Sequence, residues 1–324
     1  MEILKFAPLL MSLVWGGEKI APYKGIETAQ KNIGESWEIS AVPGKETLVS
    51  EGRFAGRSIT SLAEEFKGAL LGEKVYAATG AQFPLLIKFI DAKADLSIQV
   101  HPDDALAAVR HNGSKGKTEM WYVVGADKGA HLLSGLSQAI TPEEYERRVA
   151  DDSFTEVLAR YEVEPGDVFF LPAGRIHAIC SGCFIAEIQQ TSDITYRIYD
   201  YGRLGLDGKP RQLHTEQAKD AIDYTVYPDY RTAYTPALNQ EVRLVSCPYF
   251  TTSLWDLSQP VRKDLSSLDS FVVVMCLAGE ATLATEESQV TVRQGETVLV
   301  PATARFLSLT PASSSAKLLT ACLE

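Results

Sequence analysis

Apolar positions in this chain fall mostly in short unbroken runs or on alternate residues, the two patterns that strands produce. Phe83 to Phe89 is a nearly continuous apolar run and predicts a buried strand. Ala94 to His101 carries Leu96, Ile98 and Val100 on one face, so Ser97, Gln99 and His101 share the other. Glu119 to Val124, Val168 to Leu171 and Phe184 to Gln190 are further strands, and Trp37 alternates with Ile39 in another. Helical spacing is confined to short stretches. Leu62, Phe66 and Leu70 fall on one face of 59–71, behind the caps Thr60 or Ser61. Thr141-Pro-Glu-Glu144 is a helix start with proline in the first turn, and 141–161 reads as two short helices. Further short helices are expected from Asp104 through Val109 and at 214–222. Residues 193–211 read as an aromatic, arginine-rich loop, and 224–240, rich in Tyr and Pro with little periodicity, as the linker. From Glu241 onward the pattern is all β: 242–247, 249–254, 270–277, 281–284, 289–293, 297–300 and 318–323. We therefore expect two units, 1–238 and 239–324.

Composition narrows the function classes. The 324 residues are 45% hydrophobic and 23% charged, ordinary for a globular protein. A net charge of −11 argues against a nucleic-acid partner, which needs a basic footprint. Five cysteines (180, 183, 247, 276 and 322) fit a reduced, cytoplasmic protein better than a disulfide framework. Cys180-Ser-Gly-Cys183 has metal-ligand spacing, but no second such pair completes a site, and Ser-Gly between apolar runs is a hairpin turn. The apolar stretch Ala7 to Trp15 is too short to span a membrane and lacks a small-residue cleavage site. No membrane partner is expected.

One stretch organises the chemistry. Gly166-Asp-Val-Phe-Phe-Leu-Pro172-Ala-Gly174-Arg-Ile-His177 reads as strand, corner, strand. Proline cannot donate to a sheet ladder and glycine tolerates positive φ, so the pair suits a corner that aims His177 inward. Its G-x5-P-x-G-x2-H spacing resembles the second signature of the cupin superfamily of small β-barrels, whose histidine is a metal ligand. The corner recurs 129 residues later as Gly295-Glu-Thr-Val-Leu-Val-Pro301, with Thr303 and Phe306 at the positions of Gly174 and His177. The expected fold class is thus mainly β: two cupin-type jelly-roll barrels in tandem with a few short helices, the second without metal.

A metal site needs donors that converge. Gln99 and His101 at i and i+2, Glu119 about one hairpin later, and His177 after the corner offer two imidazoles, a carboxylate and an amide oxygen from three strands. Singly, each is as readily a buried, hydrogen-bonded core residue. Together they form a borderline donor set that suits zinc with an open position. Lys117, two residues from Glu119, shares its inward face.

The segments Trp15-Gly-Gly17, Gly34-Glu-Ser-Trp-Glu-Ile-Ser40, Pro84 to Asp91, Leu96-Ser-Ile-Gln-Val-His-Pro-Asp-Asp104, Lys117-Thr-Glu-Met-Trp-Tyr122 and Gly166 to His177 resemble, in order, type I mannose-6-phosphate isomerase in its short bacterial form. The resemblance implies a zinc enzyme, one ion per chain, that interconverts mannose 6-phosphate and fructose 6-phosphate through an enediolate. Its four ligands fall on Gln99, His101, Glu119 and His177, and its essential arginine on Arg197 in Thr195-Tyr-Arg-Ile-Tyr199. Longer members carry a helical domain for which only 141–161 could stand in here. Arg197 would stabilise the enediolate, and Lys117 would bind phosphate or assist proton transfer. No glycine-rich phosphate cradle is visible. The phosphate partners are sought among Ser97, Arg110, Lys115, Lys117 and Arg203. Trp15, Trp37 and Trp121 are candidate pocket walls, and Glu38 a candidate substrate contact. His111, His131 and His214 have no motif support and read as surface or structural. The expected partner is a small phosphorylated sugar, and the expected state a monomer or weak homodimer. The ligand set alone leaves open another sugar-phosphate isomerase or an iron cupin. A non-catalytic sugar-sensing cupin would call for a helix-turn-helix or basic domain, and neither is visible.

Overall fold

A computed structural model describes all residues, 1–324. Its strands form three sheets. Two of them face each other in the first part of the chain. The six-stranded sheet runs, edge to edge, Val168–Leu171, Glu119–Ala126, Cys183–Gln190, Leu85–Asp91, Ile33–Ile39 and Leu9–Gly17. The five-stranded sheet runs Tyr196–Tyr199, Ile98–Val100, His177–Ile179, His131–Leu136 and Leu158–Glu162. Between them lies a core of Trp15, Ile90, Trp121, Leu132, Phe169, Leu171, Ile179 and Ile185.

Both sheets are covered on their outer faces as well, which explains why Phe83 to Phe89 reads as apolar without alternation. Behind the six-stranded sheet, Leu85, Ile87, Phe89, Met120 and Ile188 join the largest core. That core also takes Leu62, Leu70 and Val75 from short helices and Val273, Met275, Leu299 and Leu319 from the C-terminal sheet. Behind the five-stranded sheet, Ile98, Val100, Ala178, Tyr196 and Ile198 pack against Tyr145 and Ala218 of the helices Pro142–Ala150 and Thr215–Ala221.

The C-terminal part is a nine-stranded sheet that encloses its own core of Val272, Val274, Cys276, Val298, Val300, Leu307 and Leu318. The strands expected at 270–277 and 281–284 are one long strand, Val272–Ala284, irregular in register around the positive-φ Gly279. Sequence alone also gave no sign of two other features. The first strand, Leu4–Ala7, pairs with Thr297–Val300 and so belongs to the C-terminal sheet, across the expected 238/239 boundary. Residues 154–162 are a 3-10 turn and a strand instead of a second helix, because Leu158–Glu162 completes the five-stranded sheet.

The repeated corner is built the same way twice. Gly166 and Gly295 both take positive φ, at 102° and 82°, where a side chain would be strained. His177 opens the strand after the first corner, and Phe306 opens the strand after the second. The Cys180–Cys183 segment is a hairpin turn with Gly182 at φ 90°, and all five thiols are free. No helix is long and apolar enough to cross a membrane, which says nothing of strands.

Candidate metal centre and active site

Alternation and register bring the candidate donors into one space between the two sheets. His177 lies directly opposite Gln99 across one strand pair, and Arg197 lies opposite Gln99 on its other side. Directly paired residues share a sheet face, so Arg197, Gln99 and His177 form a row on the inner face. From the other sheet Glu119 projects inward, opposite Leu171 and Gln189. One ligand atom each of His101, Glu119 and His177 lies within 4.8 Å of the others, and all three residues are buried.

The orientation of each ring is fixed from behind. His177 Nδ1 donates to the Arg175 carbonyl at 2.8 Å, and His101 Nδ1 donates to the Ile194 carbonyl at 2.9 Å. A carbonyl can only accept, so both protons sit on Nδ1 and both Nε2 lone pairs face the centre. Burial pushes both imidazoles down, His177 to about 3 and His101 well below the ordinary histidine range, with the nearby Lys117 cation adding to the shift. Both rings are therefore neutral at pH 7, the form that binds a metal.

Glu119 is fully buried. Its oxygens lie 3.0 Å from Lys117 Nζ and 3.3 Å from His177 Nε2, yet neither accepts a well-aligned hydrogen bond. An orphaned buried carboxylate is costly, and burial accordingly raises its pKa. Two lone pairs and an unsatisfied carboxylate aimed at one point fit a divalent cation. The Gln99 amide adds a fourth group, its Nε2 3.3 Å from His177 Nε2. A half-turn of that amide points its oxygen there instead.

Lys117 is buried with Nζ 3.1 Å from His101 Nε2. Its loop is tied down on several sides: Lys117 N donates to the Pro102 carbonyl, Thr118 N donates to Gln190 Oε1, and Ala173 N of the corner donates to Thr118 Oγ1. Arg197 sits on the strand Tyr196–Tyr199, inside what the composition predicts as a loop. It is half-buried, and its only side-chain hydrogen bond runs from a terminal nitrogen to the Gln212 carbonyl, 2.8 Å. Its Nε is buried without a partner. The one nearby carboxylate, Asp200, is taken by Arg203 and Arg211.

Ser97 is buried beside Gln99, its Oγ 3.4 Å from Gln99 Oε1. The other expected substrate contacts lie elsewhere. Glu38 neighbours Trp37 on a strand, and strand neighbours point to opposite faces. Trp37 pairs with Lys88 on the inner face, while Glu38 turns outward and forms a buried ion pair with Lys24 at 2.8 Å. Arg110 is committed to Asp220 and the Gln217 carbonyl. Arg203 is committed to Asp200 and the Asp95 carbonyl, and Lys115 is exposed. Trp15 is apolar core, packed over Gly34. Trp37 lies under Lys88 and Lys45. Only Trp121 of the three tryptophans touches the centre, edge-on to the His177 ring at 5.2 Å.

The sequence reading missed a second buried polar layer. Glu187 accepts from Trp121 Nε1 at 2.9 Å and pairs with Lys88 Nζ at 3.0 Å. Burial opposes both charges. Lys88 and Lys117 nevertheless hold Glu187 below the ordinary carboxylate range, and Glu187 with Glu35 holds Lys88 protonated. The signal was available: single charges inside the apolar runs 83–89 and 184–190, with no water to receive them.

Comparison with known proteins bears on this geometry. The family model for the phosphomannose isomerase type I catalytic domain matches residues 3–125, and that for the mannose-6-phosphate isomerase cupin domain matches residues 240–314. The mannose-6-phosphate isomerase ManA of Bacillus subtilis (strain 168) is 33% identical over 302 residues, 93% of each chain. The mannose-6-phosphate isomerase of Streptococcus mutans is 35% identical over 291 residues, 90% of this chain and 89% of that one. A crystal structure of the mannose 6-phosphate isomerase from Bacillus subtilis superposes with a TM-score of 0.89 at 28% identity, over 99% of both chains.

Proposed function

The chain belongs to the mannose-6-phosphate isomerase family of aldose–ketose isomerases, and from that membership we propose that one zinc ion held by Gln99, His101, Glu119 and His177 serves its reaction. The observation that carries this reading is the orphaned Glu119 carboxylate facing two oriented Nε2 lone pairs. Two imidazoles with oxygen donors are a borderline set that suits zinc. When bound, such an ion supplies a Lewis acid that polarises the sugar's oxygens.

The protein's own groups account for the rest. Interconverting mannose 6-phosphate and fructose 6-phosphate moves a proton between carbons 1 and 2 through an enediolate, so negative charge develops on oxygen. Arg197 stabilises that charge: its guanidinium stays protonated, has no carboxylate partner, and keeps a buried N–H without an acceptor. Lys117 Nζ carries the proton, accepting it from one carbon as the free amine and returning it to the other as the ammonium, a role supported by its 3.0–3.1 Å distances to Glu119 and His101, which hold it at the centre. Ser97 binds a sugar or phosphate oxygen from the floor beside Gln99. Ser97, His101, Lys117, Glu119 and His177 are buried between the two sheets, where the lower dielectric strengthens their interactions.

The test is a coupled assay on mannose 6-phosphate with metal analysis. Chelation should abolish turnover, and zinc should restore it. His177→Ala should lose the metal. Arg197→Ala should keep the metal and lose about 100-fold or more in kcat, the usual scale for removing a charge-stabilising donor. A metal-free protein with full turnover would sink the reading.

A further inference from the structure

His214 has no motif support in the sequence, yet its contacts converge on Arg197. The strand Tyr196–Tyr199 is the outer strand of the five-stranded sheet, paired on one side with Ile98–Val100. On its open side, residues 212–214 run beside it. His214 N–H donates to the Arg197 carbonyl at 2.7 Å, and Arg197 N–H donates back to His214 Nδ1 at 3.3 Å. One residue therefore satisfies both backbone groups of Arg197, with a side-chain acceptor doing what a strand carbonyl would do. Two residues earlier, the Gln212 carbonyl accepts from the guanidinium itself.

This three-residue segment is in turn anchored. His214 stands at the N-terminal boundary of the helix Thr215–Ala221, whose Ala218 is fully buried. The hydroxyl of Tyr145 donates to the Thr215 carbonyl at 2.9 Å, and Arg110 holds the same helix through the Gln217 carbonyl. The helix thus fixes His214, and His214 fixes the strand position from which Arg197 reaches inward. Arg197 has no ion pair to fix it from the front, because Asp200 is engaged by Arg203 and Arg211. Its alignment has to come from behind.

We propose that His214 is a positioning residue for Arg197, using its Nδ1 and backbone N–H to hold that arginine in register opposite Gln99. The proposal rests on the reading that Arg197 acts on the substrate. Arginine's stabilisation of a developing charge depends on its placement, and a misplacement of about 1 Å costs on the order of 100-fold. The polar and aromatic contacts of the imidazole are to Arg197 N and the Tyr196 ring, not to Gln99, His101, Glu119 or His177.

The experiment compares His214→Ala, His214→Asn, Arg197→Ala, Arg197→Lys and the Arg197→Lys/His214→Ala pair for kcat, KM, zinc content and thermal midpoint. His214→Ala should lower kcat by about 10–100-fold with KM and zinc content little changed. Asparagine offers an amide oxygen close to the position of Nδ1, so His214→Asn should recover kcat to within about threefold. Once Arg197 is lysine, adding His214→Ala should lower kcat no further, because the two act as a unit. Wild-type kcat in His214→Ala alongside a crippled Arg197→Ala would overturn the positioning role. So would a His214→Ala loss that asparagine does not rescue, or that tracks lost zinc or a lowered midpoint. Full activity in Arg197→Ala would overturn the underlying reading instead.

Discussion

The Lys24–Glu38 pair separates what supports the fold from what serves the substrate. The side chains are 3% and 2% exposed, and their atoms meet at 2.8 Å. Lys24 also donates to the Gly295 carbonyl of the C-terminal unit and lies over the Phe89 ring, so the pair seals the contact between the two parts of the chain. Glu38→Leu leaves the Lys24 charge buried with only the Gly295 carbonyl and the Phe89 ring beside it. Removing one partner of a buried pair costs about 3–5 kcal/mol, whereas replacing both with apolar groups is often near neutral. An unfolding entropy of about 2.1 cal/mol/K per residue near 60 °C makes that a fall of about 4–7 °C in thermal midpoint if the chain unfolds as one unit. The Lys24→Met/Glu38→Leu double variant should recover most of it. Calorimetry gives the midpoints, and the coupled assay at a permissive temperature should give wild-type kcat and KM for both variants. A Glu38→Leu protein of normal stability but raised KM would refute the reasoning and return Glu38 to the substrate.

Two further outcomes follow from buried groups. Glu187→Gln leaves Lys88 an interior cation with only the more distant Glu35, at 3.9 Å, and should destabilise by about 3 kcal/mol in chemical denaturation, with Lys88→Met in the same chain recovering most of the loss. Burial pushes the Cys180, Cys183, Cys276 and Cys322 thiols up, the last to about 11, and only Cys247 is half-buried. A thiol-titrating reagent at pH 8 should therefore find no more than one reactive group in the native protein and five after denaturation.

The convergence of His101, Glu119 and His177 was legible because it rests on local rules: alternation within one strand, and a Pro-Gly corner aiming a histidine. The face that Glu38 takes was equally legible from alternation, since Trp37 beside it points the other way. What local rules could not reach was decided at longer range. The Tyr- and Arg-rich segment around Arg197 has weak strand character by itself and becomes a strand by pairing with Ile98–Val100. Residues 158–162 have a helix-compatible pattern but serve as an edge strand beside His131–Leu136. Arg110 and Arg203 looked available for phosphate because their partners Asp220 and Asp200 are revealed only by the fold. The 224–240 stretch, read as a linker, packs closely on the first unit. The Arg175 guanidinium lies against both the Tyr227 and Tyr230 rings, 4.7 and 4.5 Å from their centroids, and the carbonyl of the same Arg175 orients His177.

The first strand's partnership with Thr297–Val300 bears on how the molecule is made. Sequential synthesis releases Leu4–Ala7 about 290 residues before its partner. Over that interval the first strand can pair only on its other side, with Leu48–Val49. The last unit to emerge is thus completed by the first residues to appear. Until then Thr297–Val300 has an open edge of the kind that invites association between chains. The C-terminal sheet therefore includes a strand from the other end of the described chain, so cutting at 238/239 would remove one of its strands.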